Sequence, residues 1–295
     1  MPEVTRTSNI TSVSPPREIV PGFYWFHELV DTIQLREWLT NHPRGQELSE
    51  DWYERGEDLY LSINAFLLDG EDRSLQFDTL SAADSEYIVG ELQHILGEDG
   101  LDHLVLSHDE PSHSANAGDI VEAFPEVTML GSTAGANEDF HHLQDAAPFE
   151  PGDTVDLGGF TVEAIEPVFM DTAPTIWMFE HETRTVFTVD SFNFPLHTFE
   201  TATFVDELET PVTVDRFMQY HGRSLPWLEY ADPDRIEAEI DHMMETYEPE
   251  MIAPPHGPIL RGDVDRYVEM VKQAIAKIHD EGSLQSIFSY MTAEP

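Results

Sequence analysis

Cysteine is missing from this 295-residue sequence, which excludes disulfides, Cys-ligated zinc, iron–sulfur clusters and thiolate nucleophiles. Lysine is nearly missing: Lys272 and Lys277 stand alone, and every other basic residue is Arg. No apolar run approaches the ~18 residues that a membrane span needs. The opening MPEVTRTSNITSVSPP lacks the hydrophobic stretch of a signal peptide. A cytoplasmic chain with no membrane partner is expected. Positive charge is scarce as well: 14 basic residues face 58 acidic ones, for a net charge of -44. That surface has the wrong sign for phosphate backbones or anionic lipid, so no nucleic-acid partner is expected.

What is present is material for a core. Apolar residues make up 40% of the chain, with 17 Phe, 9 Tyr and 5 Trp, which a disordered acidic chain would not carry. The acidic residues are spread along the whole sequence rather than gathered in a tail. Dispersed acidity repels itself at low salt and is screened by counterions, so a halophilic source is expected.

Residues 1–17, rich in Ser, Thr and Pro, read as a flexible arm, followed by one domain over 18–295. Strands are predicted at Gly22–Phe26, at Leu59–Leu68, which alternates, and at Ser74–Asp78. A polar inserted loop is expected at about 40–57. A helix is predicted over Ala83–Leu96, then a strand at His103–Ser107, a helix near Gly118–Phe124, a strand at Glu126–Leu130 and a short helix over 137–145. Gly and Asp residues then punctuate strands at 154–157, 160–166, 175–180 and 184–190. Residues 195–232 read as irregular. Helices over Asp234–Tyr247 and Val264–His279 flank a brief strand at Met251–Ala253.

Asp78, His108, Asp190 and His256 each fall just past a predicted strand, where a rigid sheet can bring distant side chains to one cleft. The densest segment is LVLSHDEPSHSANAGDI (104–120). If it stays extended, His108, Glu110 and Ser112 point one way. Imidazole with carboxylate is a ligand set for iron, zinc or manganese. An acidic surface loop holding His108 and His113 by chance remains open on this segment alone. TVFTVD ends in Asp190, which suits a bridging carboxylate or a turn cap. MIAPPHGPIL fixes the backbone direction of His256 between Pro and Gly.

Taken together these segments resemble the metallo-β-lactamase fold, whose site lies on a His-x-[His/Glu]-x-Asp-His loop followed by a His, an Asp and a final His. Glu110 at the variable position is similar to flavodiiron and related oxygen-binding di-iron proteins. PGDTVDLGGFTVEAIEP (151–167), VFTVDSF (186–192), IAPPHGP (252–258) and NAFLLDGEDRSLQFDT (64–79) carry the resemblance further, over roughly residues 18–280. It implies an α/β fold, an αββα sandwich of two mixed sheets flanked by helices, with Asp78 in a supporting role. It also implies a first metal on His108, Glu110 and Asp190 and a second on His113, Asp190 and His256, with Asp190 bridging. Glu110 and Asp190 are then the catalytic candidates.

Two positions depart from the pattern. Ser112 replaces an expected Asp, and Met170 falls where a His is expected. Asp171, His141 and His142 are the available replacements, and Asp171 is expected to face the cleft because hard metals prefer oxygen. Each metal thus loses one ligand, which implies two iron sites of unequal occupancy, or zinc. No flavodoxin domain is read in the sequence, so reduction of oxygen would need a separate flavin or flavodoxin-like donor. The function expected is a di-iron oxygen-binding or oxidoreductase module acting on a small-molecule ligand or substrate, with a homodimer open. The alternatives are a metal-dependent hydrolase, in which a metal-bound water attacks an ester or amide, and a non-catalytic relative.

Overall fold

The computed structural model describes residues 3–32, 34, 59–132, 146–200 and 202–282. The loop expected at about 40–57, the helix expected over 137–145, and His141 and His142 lie outside these residues.

Eight strands form one mixed sheet in sequence order: β1 (Thr5–Arg6), β2 (Thr11–Val20), β3 (Phe23–Asp31), β4 (Tyr60–Asp69), β5 (Ser74–Phe77), β6 (His103–Val105), β7 (Thr128–Gly131) and β8 (Ala147–Pro148). It is antiparallel as far as β5 and parallel beyond. The second sheet runs in the order β14 (Leu260–Arg261), β13 (Met251–Ala253), β12 (Thr185–Phe187), β11 (Trp177–Glu180), β10 (Thr161–Ile165) and β9 (Thr154–Asp156). Only the β12–β13 pairing in it is parallel.

The strand chemistry explains the layering. β4 is buried on both faces, which its near-continuous apolar run demands. Phe66 and Leu68 join the core between the sheets, while Ala65 and Leu67 pack with Ile88 and Leu92 of helix α1 (Ser85–Leu96). In the central core the Phe187 ring from β12 meets Phe23, Phe66 and Phe77 of the first sheet at 5.6, 5.2 and 5.7 Å. Truncating Phe187 to Ala would cost about 3–5 kcal/mol. The same apolar cluster continues through the second sheet to Ile236 and Ile240 of α5 (Pro233–Tyr247) and Val268, Val271 and Ile275 of α6 (Val264–Glu281). This is the αββα arrangement expected. Among the described residues, no helix is long and apolar enough to cross a membrane.

Two expectations fail. Residues 11–17 are not a flexible arm: Thr11, Ser12, Val13 and Ser14 are buried in β2, paired with β3. The strand tolerates Pro15 and Pro16 because its register slips between Ser14 and Arg17, where no ladder hydrogen bonds are required of them. Arg17 then donates two hydrogen bonds to Glu207, at 2.7 and 2.8 Å, and one to the Ala202 carbonyl. Arg17 and Arg261 flank the Phe204 ring at 4.3 and 3.4 Å and share Glu207. The second failure is 195–232, which contains helix α4 (Val214–Ser224). Arg216 through Gly222 are all buried, and the polar Arg216, Gln219 and His221 among them interrupt the apolar pattern that would mark a helix facing the core. Two short helices, α2 (Pro111–Ser114) and α3 (Ala117–Ala123), follow β6.

Candidate metal centre

Two parallel strand pairs, β5–β6 in one sheet and β12–β13 in the other, end at the same edge. Asp78 follows β5, His108 follows β6, Asp190 follows β12 and His256 follows β13. The strand predicted to reach 190 ends earlier. β12 stops at Phe187, and Asp190 and Phe192 take left-handed backbone angles, φ 46 and 63. Such angles are costly outside glycine and persist where the surroundings over-determine them. Here Phe192 N donates to His221 Nε2 at 3.0 Å, and the Ser191 hydroxyl donates to the Phe169 carbonyl. The segment after His108 also departs from expectation. Pro111 starts the turn of helix α2, so the extended alternation stops and His113 swings back to lie 4.2 Å from His108, ring centre to ring centre.

Asp190 is the hub. Its Oδ2 lies 3.7 Å from His108 Nε2 and 4.0 Å from His113 Nε2. Its Oδ1 lies 3.2 Å from His256 Nε2 and accepts from the Tyr220 hydroxyl at 2.6 Å. His108 Nε2 is also 4.0 Å from Glu110, and His108 Nδ1 is 3.8 Å from Asp171. Ligand atoms of His108, Glu110, Asp171 and Asp190 all lie within 4.8 Å of one another, as do those of His108, His113 and Asp190. Asp171 thus reaches the cluster from the position where Met170 had replaced the expected His. The Met170 carbonyl accepts from Trp227 Nε1.

Neighbouring groups aim the ligands. Asp78 Oδ2 is 2.7 Å from His113 Nδ1, and Asp78 is itself held by the amide and hydroxyl of Ser107. The Ser62 carbonyl accepts from His256 Nδ1 at 2.8 Å, and Asn193 Oδ1 accepts from the His256 amide. Asn64 of β4 reaches across with its amide to the Pro254 and Gly257 carbonyls. Gly257 needs its φ of +119, and a Cβ there would meet the Phe194 carbonyl at 3.0 Å. Carboxylate or carbonyl partners on one ring nitrogen are what orient metal-ligating histidines.

The electrostatics follow from the crowding. Burial, then His113, lower His108 to about 2, so its ring is neutral. Burial also opposes charge on His113, but Asp78 prevails and raises it to about 9. For Asp190 burial acts upward and is outweighed by His256, His113 and His108, which hold it far below the carboxylate range. Asp171 is pushed up to about 6 by burial, then by Asp190 and Glu110. Both His108 ring nitrogens, His113 Nε2 and Asp171 Oδ1 are buried with no hydrogen-bond partner. Unpaired buried polar atoms are expensive, and four of them around one carboxylate fit a cation of the iron, zinc or manganese type.

Reading the sequence alone missed Tyr220, which α4 delivers to Asp190. Its signal was available: Phe217, Tyr220, His221 and Ser224 recur at helical spacing.

No family model matches the chain. It is 29% identical over 212 residues to diflavin flavoprotein A 3 of Nostoc sp., covering 69% of this chain and 35% of that protein. It is 24% identical over 255 residues to coenzyme F420H(2) oxidase of Methanocaldococcus jannaschii, covering 82% and 56%. A metal-soaked flavodiiron core from Synechocystis sp. PCC6803 superposes with TM-score 0.66 at 17% identity, over 90% of this chain and 61% of that one. The chain resembles flavodiiron proteins and has their metallo-β-lactamase-like fold. It spans about a third of the length of the diflavin relative. In this flavodiiron-like core His108 and Asp190 belong to both clustered groups, His113 to one and Glu110 and Asp171 to the other, while His256, in neither group, meets the Asp190 carboxylate at its Oδ1.

Proposed function

We propose that the chain is a di-iron oxidoreductase module of flavodiiron type, acting on a small molecule such as oxygen with electrons from a separate flavin-bearing donor. The carrying observation is the buried set of unpartnered imidazole and carboxylate atoms around Asp190. His108, Glu110, Asp171 and Asp190 would hold one iron, and His113, Asp190 and His256 the other, with Asp190 shared. Bound iron would supply electrons and open coordination positions for reducing the small molecule. The protein's part is to keep His108 neutral, to hold Asp190 ionised, and to keep a proton on the Tyr220 hydroxyl beside the cavity, where burial raises its pKa well above the usual value. The net charge of -44 supports a working place in the cytoplasm of a high-salt cell, where counterions screen the acidic surface.

Anaerobic purification with metal analysis and an optical spectrum tests the reading. Iron near two per chain, with an iron–carboxylate absorption that changes on exposure to oxygen, supports it. Zinc with esterase turnover would instead establish the hydrolase.

A further inference from the structure

A second pair of carboxylates lies away from Asp190, and the chemistry proposed above does not use it. Glu28 shares a face of β3 with Phe26 and Val30, which pack against α1, so its side chain enters the layer between the first sheet and that helix. Asp84 reaches the same layer from the N-cap position of α1. An Asp at that position ordinarily accepts hydrogen bonds from the first helix amides. Asp84 makes no such bond. It is 1% exposed, and both its oxygens are buried without a hydrogen-bond partner. Its carboxyl is turned instead to that of Glu28, which is fully buried.

The other polar groups here are oxygen-rich. The Ser81 hydroxyl and amide donate to Glu28 at 2.7 and 3.0 Å. The Thr7 hydroxyl acts on Asp84 and lies 3.0 Å from the Thr11 hydroxyl. Among the described residues no basic side chain pairs with either acid. A buried carboxylate ordinarily has a cationic partner or coordinates a metal. Two carboxyls with unused lone pairs, beside a hydroxyl, make an all-oxygen donor set, which suits calcium rather than the imidazole-rich chemistry around Asp190. We propose that Glu28 and Asp84, with the Thr7 hydroxyl, form a binding site for a hard divalent cation of the calcium type. One such ion neutralises both acids. It also ties together the turn between β1 and β2, the middle of β3 and the start of α1, so its role is to clamp the N-terminal hairpin. When the site is empty the pair holds a proton, which the ion must displace.

The test needs neither iron nor activity. Metal-stripped protein is melted in molar tetramethylammonium chloride, which screens the surface with a cation too large for the site. Calcium at about a hundredfold above its dissociation constant should raise the wild-type melting temperature by about 5 °C. Binding near pH 7 should release about one proton per ion. Asp84→Asn and Glu28→Gln should each abolish both signals. Asp84→Asn should melt no lower than calcium-free wild type, because its amide can donate to Glu28. Glu86→Gln, exposed on the same helix, should keep both signals. A wild type that neither shifts nor releases a proton would overturn the proposal. So would a shift that survives Asp84→Asn and Glu28→Gln, or one that potassium reproduces at equal concentration, since both mark binding to the acidic surface. Loss of the shift in Glu86→Gln would move the ion to the outer face of α1 and overturn it as well.

Discussion

Asp190 and Glu28 are both fully enclosed carboxylates, and their surroundings drive them in opposite directions. Around Asp190 stand His108, His113 and His256, and the carboxyl is held far below its ordinary range. Glu28, on β3, accepts from the amide and hydroxyl of Ser81 at 3.0 and 2.7 Å, but its charged neighbour is Asp84, another acid. Burial and then Asp84 push Glu28 up to about 8. Asp84 is raised as well, mainly by burial. An acidic chain can thus bury a charge where histidines surround it, and holds a proton where another carboxyl does.

The sharpest way to break this contrast is Asp190→Ala. Asp190 faces every histidine of the cluster, so metal analysis should show both ions lost, while circular dichroism shows the fold retained. A variant that keeps either metal would contradict the shared role. Next in size is salt. The exposed acids act through screened repulsion, so the melting temperature should climb steeply from dilute buffer to molar potassium chloride. Equal melting temperatures across that range would reject the halophilic reading.

Asp78→Ala is a smaller and more local change. It takes the carboxylate from His113 Nδ1 and leaves only the Ser107 hydroxyl there, at 3.2 Å, and loss of such an orienting partner costs about 10–100-fold in metal affinity. The loss should fall on the His113–His256 side, leaving the His108 side near its wild-type affinity in a two-site titration. The smallest effect expected is on pH dependence. Glu28 binds its proton more tightly folded than unfolded, since about 8 exceeds the reference 4.5. Its contribution to stability is therefore complete below about pH 4.5 and is lost as pH rises through about 8. Glu28→Gln should flatten the fall in denaturation free energy between these limits. The difference should persist in molar salt, because the pair is buried. An unchanged slope in the variant would place the fall elsewhere.

The fold was legible because strand, turn and histidine recur in a fixed order, and that order survives where single motifs degrade. Asp171 was legible for a chemical reason: it lay one residue from the gap and offered oxygen. β2 was hidden because TSVSPPREIV has the composition of a loop, and only its pairing with β3 reveals a strand. α4 was hidden because the residues it buries include the polar Arg216, Gln219 and His221, which read as surface. With it went Tyr220 and the bond from Phe192 to His221 that supports the turn at Asp190.

Asn64 sits on the first sheet, yet its side chain holds the loop that carries His256, across 190 and 193 residues of sequence. Contacts of that separation form only after most of the chain has collapsed, since the loop-closure entropy must be met first. The full set of ligands is not together until the second sheet, which carries Asp190 and His256, has docked on the first, so complete loading should be a late event.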